Sequence, residues 1–157
     1  MKEWCRWRIS SARPGSDMTT ILADFRLGVM VSDSSASDED RVWSERKVYR
    51  WRGSLIGFAG TVTEEIAFLE WLKKGGKPPK VPGIYALVMS KDGLLYYCGN
   101  TTPQKIERGI EAIGSGAKAA MCAYEALAFT DPKRAVKIVC RHDSGSRTPV
   151  RTYRLKG

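Results

Sequence analysis

The sequence is poor in metal ligands and has no long apolar run. It contains one histidine, His142, and four cysteines without a paired C-x-x-C spacing, so the patterns typical of zinc sites are missing. No apolar stretch approaches the ~18 residues that a membrane-spanning helix needs. The first 17 residues carry Arg and Lys without an apolar core, which is not the pattern of a secretory signal. We therefore expect no metal, no cofactor and no membrane, with reduced thiols and a cytoplasmic location.

Internal repeats and long low-complexity stretches are also missing. A length of 157 residues suffices for one domain with a substantial core and is short for two.

The formal net charge of +9 would suit a protein that binds nucleic acid or another polyanion. The charges are scattered over predicted loops and strand faces, however, and no single predicted helix shows an Arg/Lys stripe. We therefore expect a solvated basic surface and no nucleic-acid role, with an acidic partner left open.

The composition changes near residue 18. Residues 1–17 are rich in Trp and Arg and end in a turn-like Arg-Pro-Gly-Ser-Asp run. We interpret residues 1–18 as a leader-like extension and residues 19–157 as one folded domain.

Strand patterns in the domain come in clusters. Arg52-Gly53 and Lys91-Asp92-Gly93 are the predicted turns of two hairpins. A polar loop is expected over 34–41. The predicted strands are 20–25, 28–33, 47–51, 54–60, 84–90, 93–98 and 149–155.

Helices are predicted at three places between these strands. The first begins at Thr61, where Thr61-x-x-Glu64 has the spacing of a capping box, and ends at Gly75. An Ala-rich helix after Gly116 and a helix that begins at Asp131-Pro132 follow. The expected inward positions are Val62, Ile66, Leu69 and Leu72 in the first helix and Val136, Val139 and Cys140 in the last.

Clustered strands, rather than strands alternating singly with helices, favour an α+β protein. Two antiparallel sheets placed between helices would bury every apolar face. The sequence therefore predicts a four-layer αββα sandwich.

Six short segments resemble, in order, the proteasome β subunits and the bacterial proteasome-like peptidase subunits that work with a AAA+ unfoldase. Each motif alone is weak, but six in the right order at compatible spacings are specific. The resemblance covers 19–155 and implies the N-terminal nucleophile hydrolase fold, in a compact version like those encoded in phage genomes. The matching segments are Thr19-Thr20-Ile21, Gly28 to Asp33, Arg46 to Tyr49, Gly57 to Gly60, Gly114 to Gly116 and Asp143 to Ser146.

The resemblance implies a threonine peptidase with Thr19 as nucleophile. A threonine hydroxyl needs an adjacent base, and the α-amine of a first residue, with a pKa of ~8, can serve. Lys47 would help to keep the amine neutral and lower the pKa of the Thr19 hydroxyl. Asp33 would pair with Lys47 and fix its position. The remaining implied roles are orientation of the amine by Ser115, Asp143 and Ser146, and an oxyanion contact from the Gly60 backbone N–H.

By the same resemblance a substrate pocket lies beside Thr19, with Phe58 partly filling it, which indicates modest apolar P1 residues. Each site residue also has an ordinary structural interpretation, such as an Asx turn at Asp33 or a helix cap at Ser115. A Ser-His-Asp triad at His142 is disfavoured because no G-x-S-x-G context accompanies it. The implied pocket residues are Ala36, Glu45, Tyr49, Phe58 and Val62.

Two features depart from the family pattern. Residues 75–83 consist of Gly, Lys, Pro and Val, so the second family helix is expected to be short or absent, which puts ring size in question. Thr19 is preceded by Met18 instead of the usual Gly. Removal of residues 1–18, or translation starting at Met18 followed by removal of that methionine, would free the α-amine of Thr19.

Three functional hypotheses follow. The first is a threonine endopeptidase subunit acting on protein or peptide substrates in a homo-oligomeric, ring-like assembly with a AAA+ unfoldase. The second is a catalytically silent assembly protein that keeps its leader, for example a phage virion component with phage structural proteins as partners. The third, an amidase acting on small amides, is disfavoured because no substrate-binding loops are inserted.

Overall fold

The computed structural model describes residues 19–37, 42–44, 46–142, 146 and 148–157, with only the backbone described for 35–37 and 42–44. These residues form eleven strands and three helices. In chain order they are β1 Ile21–Asp24, β2 Val29–Ser32, β3 Ser35–Ser37, β4 Val42–Ser44, β5 Val48–Trp51, β6 Ser54–Ala59, α1 Val62–Lys74, β7 Tyr85–Ser90, β8 Gly93–Cys98, β9 Gln104–Lys105, β10 Ile110–Ile113, α2 Ala117–Ala126, α3 Pro132–His142 and β11 Arg151–Arg154.

Two antiparallel sheets form the centre of the domain. The first has the strand order β10-β1-β2-β11, and the second has the order β5-β6-β7-β8-β9. The strands β3 and β4 pair with each other as a separate hairpin. The β5–β6 turn uses Arg52 and Gly53 with φ of 47° and 79°, the two positive φ angles of a type I′ turn, as the sequence predicted.

Alternation along β1 shows how the layers are built. Leu22 packs with Val136 of α3 and Tyr124 of α2, whereas Ile21 and Ala23 pack with residues of the second sheet. On the far side of the second sheet, a third apolar cluster contains Phe68 of α1. The order is α2 and α3, first sheet, second sheet, α1. The predicted four-layer αββα sandwich is confirmed.

Helix α1 has the predicted ends, but its N-terminal capping and its buried face differ from the prediction. It ends at Gly75, whose N–H donates to the Trp71 carbonyl at 2.8 Å. The predicted capping box is wrong, because the N-cap Thr61 makes no side-chain capping hydrogen bond. The Glu64 carboxylate instead accepts the N–H of Gly83 at 2.8 Å, which fastens the linker after α1 to the helix.

The inward face of α1 is set by aromatic residues. Phe68 is fully buried and packs edge-on against Phe58 and Tyr97, with ring centroids 5.7 and 4.9 Å away. The helix rotates accordingly, so that Val62 and Ile66 are 56% and 55% exposed. The prediction that these two residues face inward is wrong, whereas Leu69 and Leu72 do pack against the cluster around Phe68.

The connection after α1 contains no second helix. Residues 75–84 run without helix or strand, and the chain enters β7 directly. The predicted loss of the second family helix is therefore confirmed.

No helix in the described part of the chain is long and apolar enough to cross a membrane.

Four strands differ from the sequence prediction. Strands β3 and β4 lie at and beside the predicted polar loop, and β9 and β10 were not predicted at all. Strand β10 completes the first sheet by pairing with β1, with Ile113 opposite Ile21 and Ala112 opposite Leu22. Its partner is about ninety residues earlier in the chain, so no local pattern marks it.

Candidate active site

Thr19 lies at the entrance to β1, packed against the loop between β10 and α2. Only 8% of Thr19 is exposed, and its carbonyl accepts the N–H of Gly116 at 3.4 Å. A Cβ at Gly114 would overlap the Thr19 carbonyl. Gly114 also has a φ of 96°, which glycine adopts without strain. The glycines on either side of Ser115 thus allow this loop to touch the start of β1.

Asp33 and Lys47 form a buried ion pair between the two sheets. Asp33 follows β2 and is fully buried, and Lys47 precedes β5 and is 7% exposed. The Lys47 Nζ lies 2.9 Å from Oδ1 and 3.1 Å from Oδ2 of Asp33. Such a pair is maintained only where hydrogen bonds satisfy the remaining polar atoms.

Thr20 supplies one of those hydrogen bonds. Its N–H donates to Asp33 Oδ1 at 2.9 Å, and its carbonyl accepts the N–H of Asp33 at 3.1 Å. One carboxylate oxygen therefore contacts both the Lys47 ammonium and the peptide N–H that follows Thr19. This geometry connects the proposed nucleophile to the ion pair.

The three residues expected to orient the amine lie in different surroundings. Ser146 is 2% exposed, and its Oγ lies 2.7 Å from Oγ1 of Thr20. Ser115 is exposed in the turn before α2, where Gly116 is the N-cap. Asp143 lies outside the described residues. The orienting roles of all three remain predictions.

Gly60 directly follows β6 and has a conformation that only glycine adopts easily. Its φ is 135°, and a Cβ there would overlap the carbonyl oxygen of Gly83. Backbone can thus approach closely at this point without a side chain in the way. The oxyanion role of the Gly60 N–H remains a prediction.

The structure brings together two of the expected pocket residues. Tyr49 and Phe58 have ring centroids 5.9 Å apart, and Phe58 is 1% exposed between the second sheet and α1. Val62 is exposed at the start of α1. Ala36 lies in β3, where only the backbone is described, and Glu45 lies outside the described residues. The substrate-contacting role of this set remains a prediction.

Sequence reasoning missed a second buried polar group on β1. The fully buried Asp24 accepts hydrogen bonds from Arg26 Nη2 at 2.7 Å and from the Tyr124 hydroxyl at 2.5 Å. Burial raises the pKa of Asp24, but the hydrogen bonds from Arg26 and Tyr124 outweigh it and hold the pKa below its ordinary value. Burial and Asp24 raise the pKa of Tyr124. This network joins β1 to α2 at the end opposite Thr19.

The outer face of α3 is more basic than the sequence suggested. Lys133, Lys137 and Arg141 are exposed at helical positions i, i+4 and i+8, which lie on one face. The helix contains no acidic residue, and no ion pair among the described residues involves these three. The expectation that no single helix carries an Arg/Lys stripe is therefore wrong.

Among the described residues, no group of three or more His, Cys, Asp or Glu could hold a metal ion.

Comparison with known proteins identifies the fold. BPH from Thiobacillus denitrificans in complex with epoxomicin superposes with a TM-score of 0.71 and 15% identity, covering 88% of this chain and 100% of that one. BPH alone gives 0.70 and 14%, covering 88% and 99%. Eukaryotic HslV from Trypanosoma brucei gives 0.68 and 22%, covering 86% and 98%. The fold is therefore that of the proteasome-type N-terminal nucleophile hydrolases, as the resemblance implied. No family model and no curated protein matches the sequence significantly.

Proposed function

From a fold shared with BPH and HslV, we propose that this chain is a threonine endopeptidase subunit in which Thr19, as first residue, is the nucleophile. The observation that carries the proposal is the buried Asp33–Lys47 ion pair, whose Oδ1 also accepts the N–H of Thr20. A buried lysine held beside the start of β1 fits a site that stabilises developing negative charge. A purely structural sheet contact would be filled equally well by apolar side chains.

The reaction we propose uses the α-amine of Thr19 as general base. The Thr19 Oγ attacks the substrate carbonyl carbon, and its proton passes to the amine. The amine returns that proton to the nitrogen of the leaving peptide, so that an ester to Thr19 remains. Water, deprotonated by the same amine, hydrolyses the ester and restores the hydroxyl. The charge of Lys47 would stabilise the oxygen of Thr19 as it loses its proton.

The oxyanion and pocket assignments are part of the same proposal. The N–H of Gly60 would donate to the carbonyl oxygen as negative charge develops on it. Tyr49 would line the pocket for the substrate side chain, and Phe58, whose ring lies against that of Tyr49, would partly fill it. We expect peptides with apolar P1 residues to be preferred.

Activity in this proposal requires a free α-amine at Thr19. Residues 1–18 would act as a leader that is removed, unless translation begins at Met18. The mature subunit would act in the cytoplasm within a ring of identical copies that receives unfolded protein from a AAA+ partner. Mass photometry of the form beginning at Thr19 measures the number of copies in the ring. Because the second family helix is absent after α1, we expect this number to differ from that of family members that have the helix.

The test compares two forms of the protein. One begins at Thr19, released from a cleavable N-terminal fusion, and the other retains residues 1–18. We expect only the first to hydrolyse fluorogenic peptides, and we expect epoxomicin, the compound bound to BPH, to inhibit it. An inactive Thr19 form that assembles normally would overturn the proposal and favour the silent assembly protein.

A further inference from the structure

We propose that Thr20 is a positioning residue whose hydroxyl, paired with Ser146, holds Thr19 in its reactive place. The inference rests on the proposed function, since it concerns the geometry of the same nucleophile. It differs from the implied arrangement in which Ser146 acts on the amine directly. Here Ser146 acts through the side chain of the second residue.

Three separate atoms of Thr20 are held. Its N–H donates to Asp33 Oδ1 at 2.9 Å, its carbonyl accepts the N–H of Asp33 at 3.1 Å, and its Oγ1 lies 2.7 Å from Ser146 Oγ. Each contact reaches a part of the chain distant in sequence, and the hydroxyl pair spans 126 positions. Both residues are buried, Thr20 fully and Ser146 to within 2%.

The surroundings leave little room for the Thr20 hydroxyl to move. A Cβ at Gly116 would overlap Thr20 Oγ1 and lie 2.7 Å from the Val139 side chain. The hydroxyl therefore sits between a glycine of the β10–α2 loop and helix α3. A buried hydroxyl without its partner costs the free energy of its lost hydration, so this site favours one rotamer, the one facing Ser146.

The position of Thr19 depends on this anchor because the two residues share a peptide bond. Asp33 Oδ1 fixes both the Thr20 N–H and the Lys47 ammonium. If the Thr20 side chain shifts, the N–H shifts with it, and so does the distance between Thr19 and Lys47. A misplacement of about 1 Å in a reacting group can reduce the rate by ~100-fold.

The test uses Thr20→Val, which keeps the shape of the side chain and removes the hydroxyl, in the form beginning at Thr19. We expect kcat to fall by roughly 10- to 100-fold with KM little changed, because the defect lies in the chemical step and not in substrate binding. Thr20→Ser keeps the hydroxyl and should retain most of kcat. Thr152→Val on the exposed side of β11 is the matched control and should leave kcat unchanged.

A double-mutant cycle with Ser146→Ala tests the pairing itself. If the two hydroxyls act as one unit, Thr20→Val together with Ser146→Ala should lower kcat no further than the more severe single change. Multiplied effects would overturn the pairing. Wild-type kcat in Thr20→Val, or an equal loss in Thr20→Ser, would overturn the role of the hydroxyl.

The outcomes for this inference and for the proposed function are distinguishable. Absence of hydrolysis by the unmodified Thr19 form counts against the proposed function. Active wild type with active Thr20→Val counts against the inference alone. Thermal melts of each variant separate a shifted nucleophile from a domain that fails to fold. Should Thr20→Val fail to fold, Ser146→Ala and Thr20→Ser carry the test. A reduced kcat in Ser146→Ala, with most of kcat retained in Thr20→Ser, supports the inference, and an unchanged kcat in Ser146→Ala overturns it.

Discussion

The carboxylate of Asp33 and the ammonium of Lys47 join the two central sheets at one buried point. Asp33 directly follows β2 of one sheet and Lys47 directly precedes β5 of the other, with Nζ 2.9 and 3.1 Å from the two carboxylate oxygens. Loss of either partner leaves the other charge buried without compensation. The pair is therefore both a structural connection and the electrostatic centre of the proposed site.

Lys47→Ala is expected to abolish measurable peptide hydrolysis and to lower the free energy of unfolding by about 3–5 kcal/mol, the usual result of breaking a buried ion pair. Urea denaturation and peptide hydrolysis by the Thr19 form measure the two effects. Lys91→Ala, at an exposed hairpin position, is the matched control and should change neither. Full activity of Lys47→Ala would contradict the proposed mechanism.

Thr19→Ala removes the proposed nucleophile and should abolish hydrolysis, because no other hydroxyl is proposed to attack the substrate. Its stability should change by only about 1 kcal/mol, the typical effect of one substitution. Thr19→Ser retains a hydroxyl and should keep a measurable part of kcat. Intact mass spectrometry confirms that each variant begins at position 19. Undiminished hydrolysis by Thr19→Ala would exclude the mechanism.

Gly60→Ala should destabilise the domain more than Gly76→Ala does. Both glycines have positive φ, 135° and 93°, but a Cβ at Gly60 would overlap the Gly83 carbonyl, whereas nothing lies within 4 Å at Gly76. We expect about 1–3 kcal/mol from backbone strain at either position and a further ~1–3 kcal/mol from crowding at Gly60. Urea midpoints measure the difference, and equal losses would show that the close approach at Gly60 has no energetic weight.

Tyr124→Phe should lower the stability of the domain at neutral pH and make that stability less dependent on acidic pH. The pKa of Asp24 is held below its ordinary value of 3.8 by Arg26 and Tyr124 against burial, so its contribution to stability is present above that value and is lost as pH falls through the folded-state pKa. Removing the Tyr124 hydroxyl raises the folded-state pKa and should cost about 1.5–3 kcal/mol at neutral pH.

Thermal melting of wild type and Tyr124→Phe between neutral pH and roughly pH 3 checks this prediction. The gap between the two proteins should narrow toward the acidic end, because protonated Asp24 no longer needs a charge-assisted donor. Tyr153→Phe on β11, whose hydroxyl has no hydrogen-bond partner among the described residues, is the control. A gap that stays constant with pH would show that Asp24 does not respond to Tyr124.

The sequence contained enough to predict the layers and most strands. The short apolar runs of β1 and β2, the Arg52-Gly53 turn and the Gly75 helix end depend on local chemistry that one sequence displays. Strand β10 has no such local signal, because its four residues are stabilised by pairing with β1 at the far end of the chain. The capping box of α1 was mispredicted for a similar reason, since the Glu64 carboxylate accepts the N–H of Gly83, 19 residues away.

The site could be predicted only in part. Asp33 and Lys47 lie at strand ends in the order that the family resemblance implies, and the structure places them in contact. The contact of Thr20 with Ser146 joins positions 126 residues apart, and serine and threonine are too common for spacing to mark it. The buried face of α1 followed the aromatic packing of Phe68, which depends on Phe58 and Tyr97 of the second sheet.

The basic face of α3 limits how copies of this chain can meet. If two copies packed with these faces together, Lys133, Lys137 and Arg141 of one copy would face the same three residues of the other, with facing charges within about one Debye length, ~8 Å at physiological ionic strength. Such a contact is repulsive unless acidic groups or bound anions intervene. Ionic strength is therefore expected to decide whether two copies can associate through α3. In dilute salt the α3 helices of neighbouring copies should face away from each other, and contact between two α3 helices should form only as the salt concentration rises.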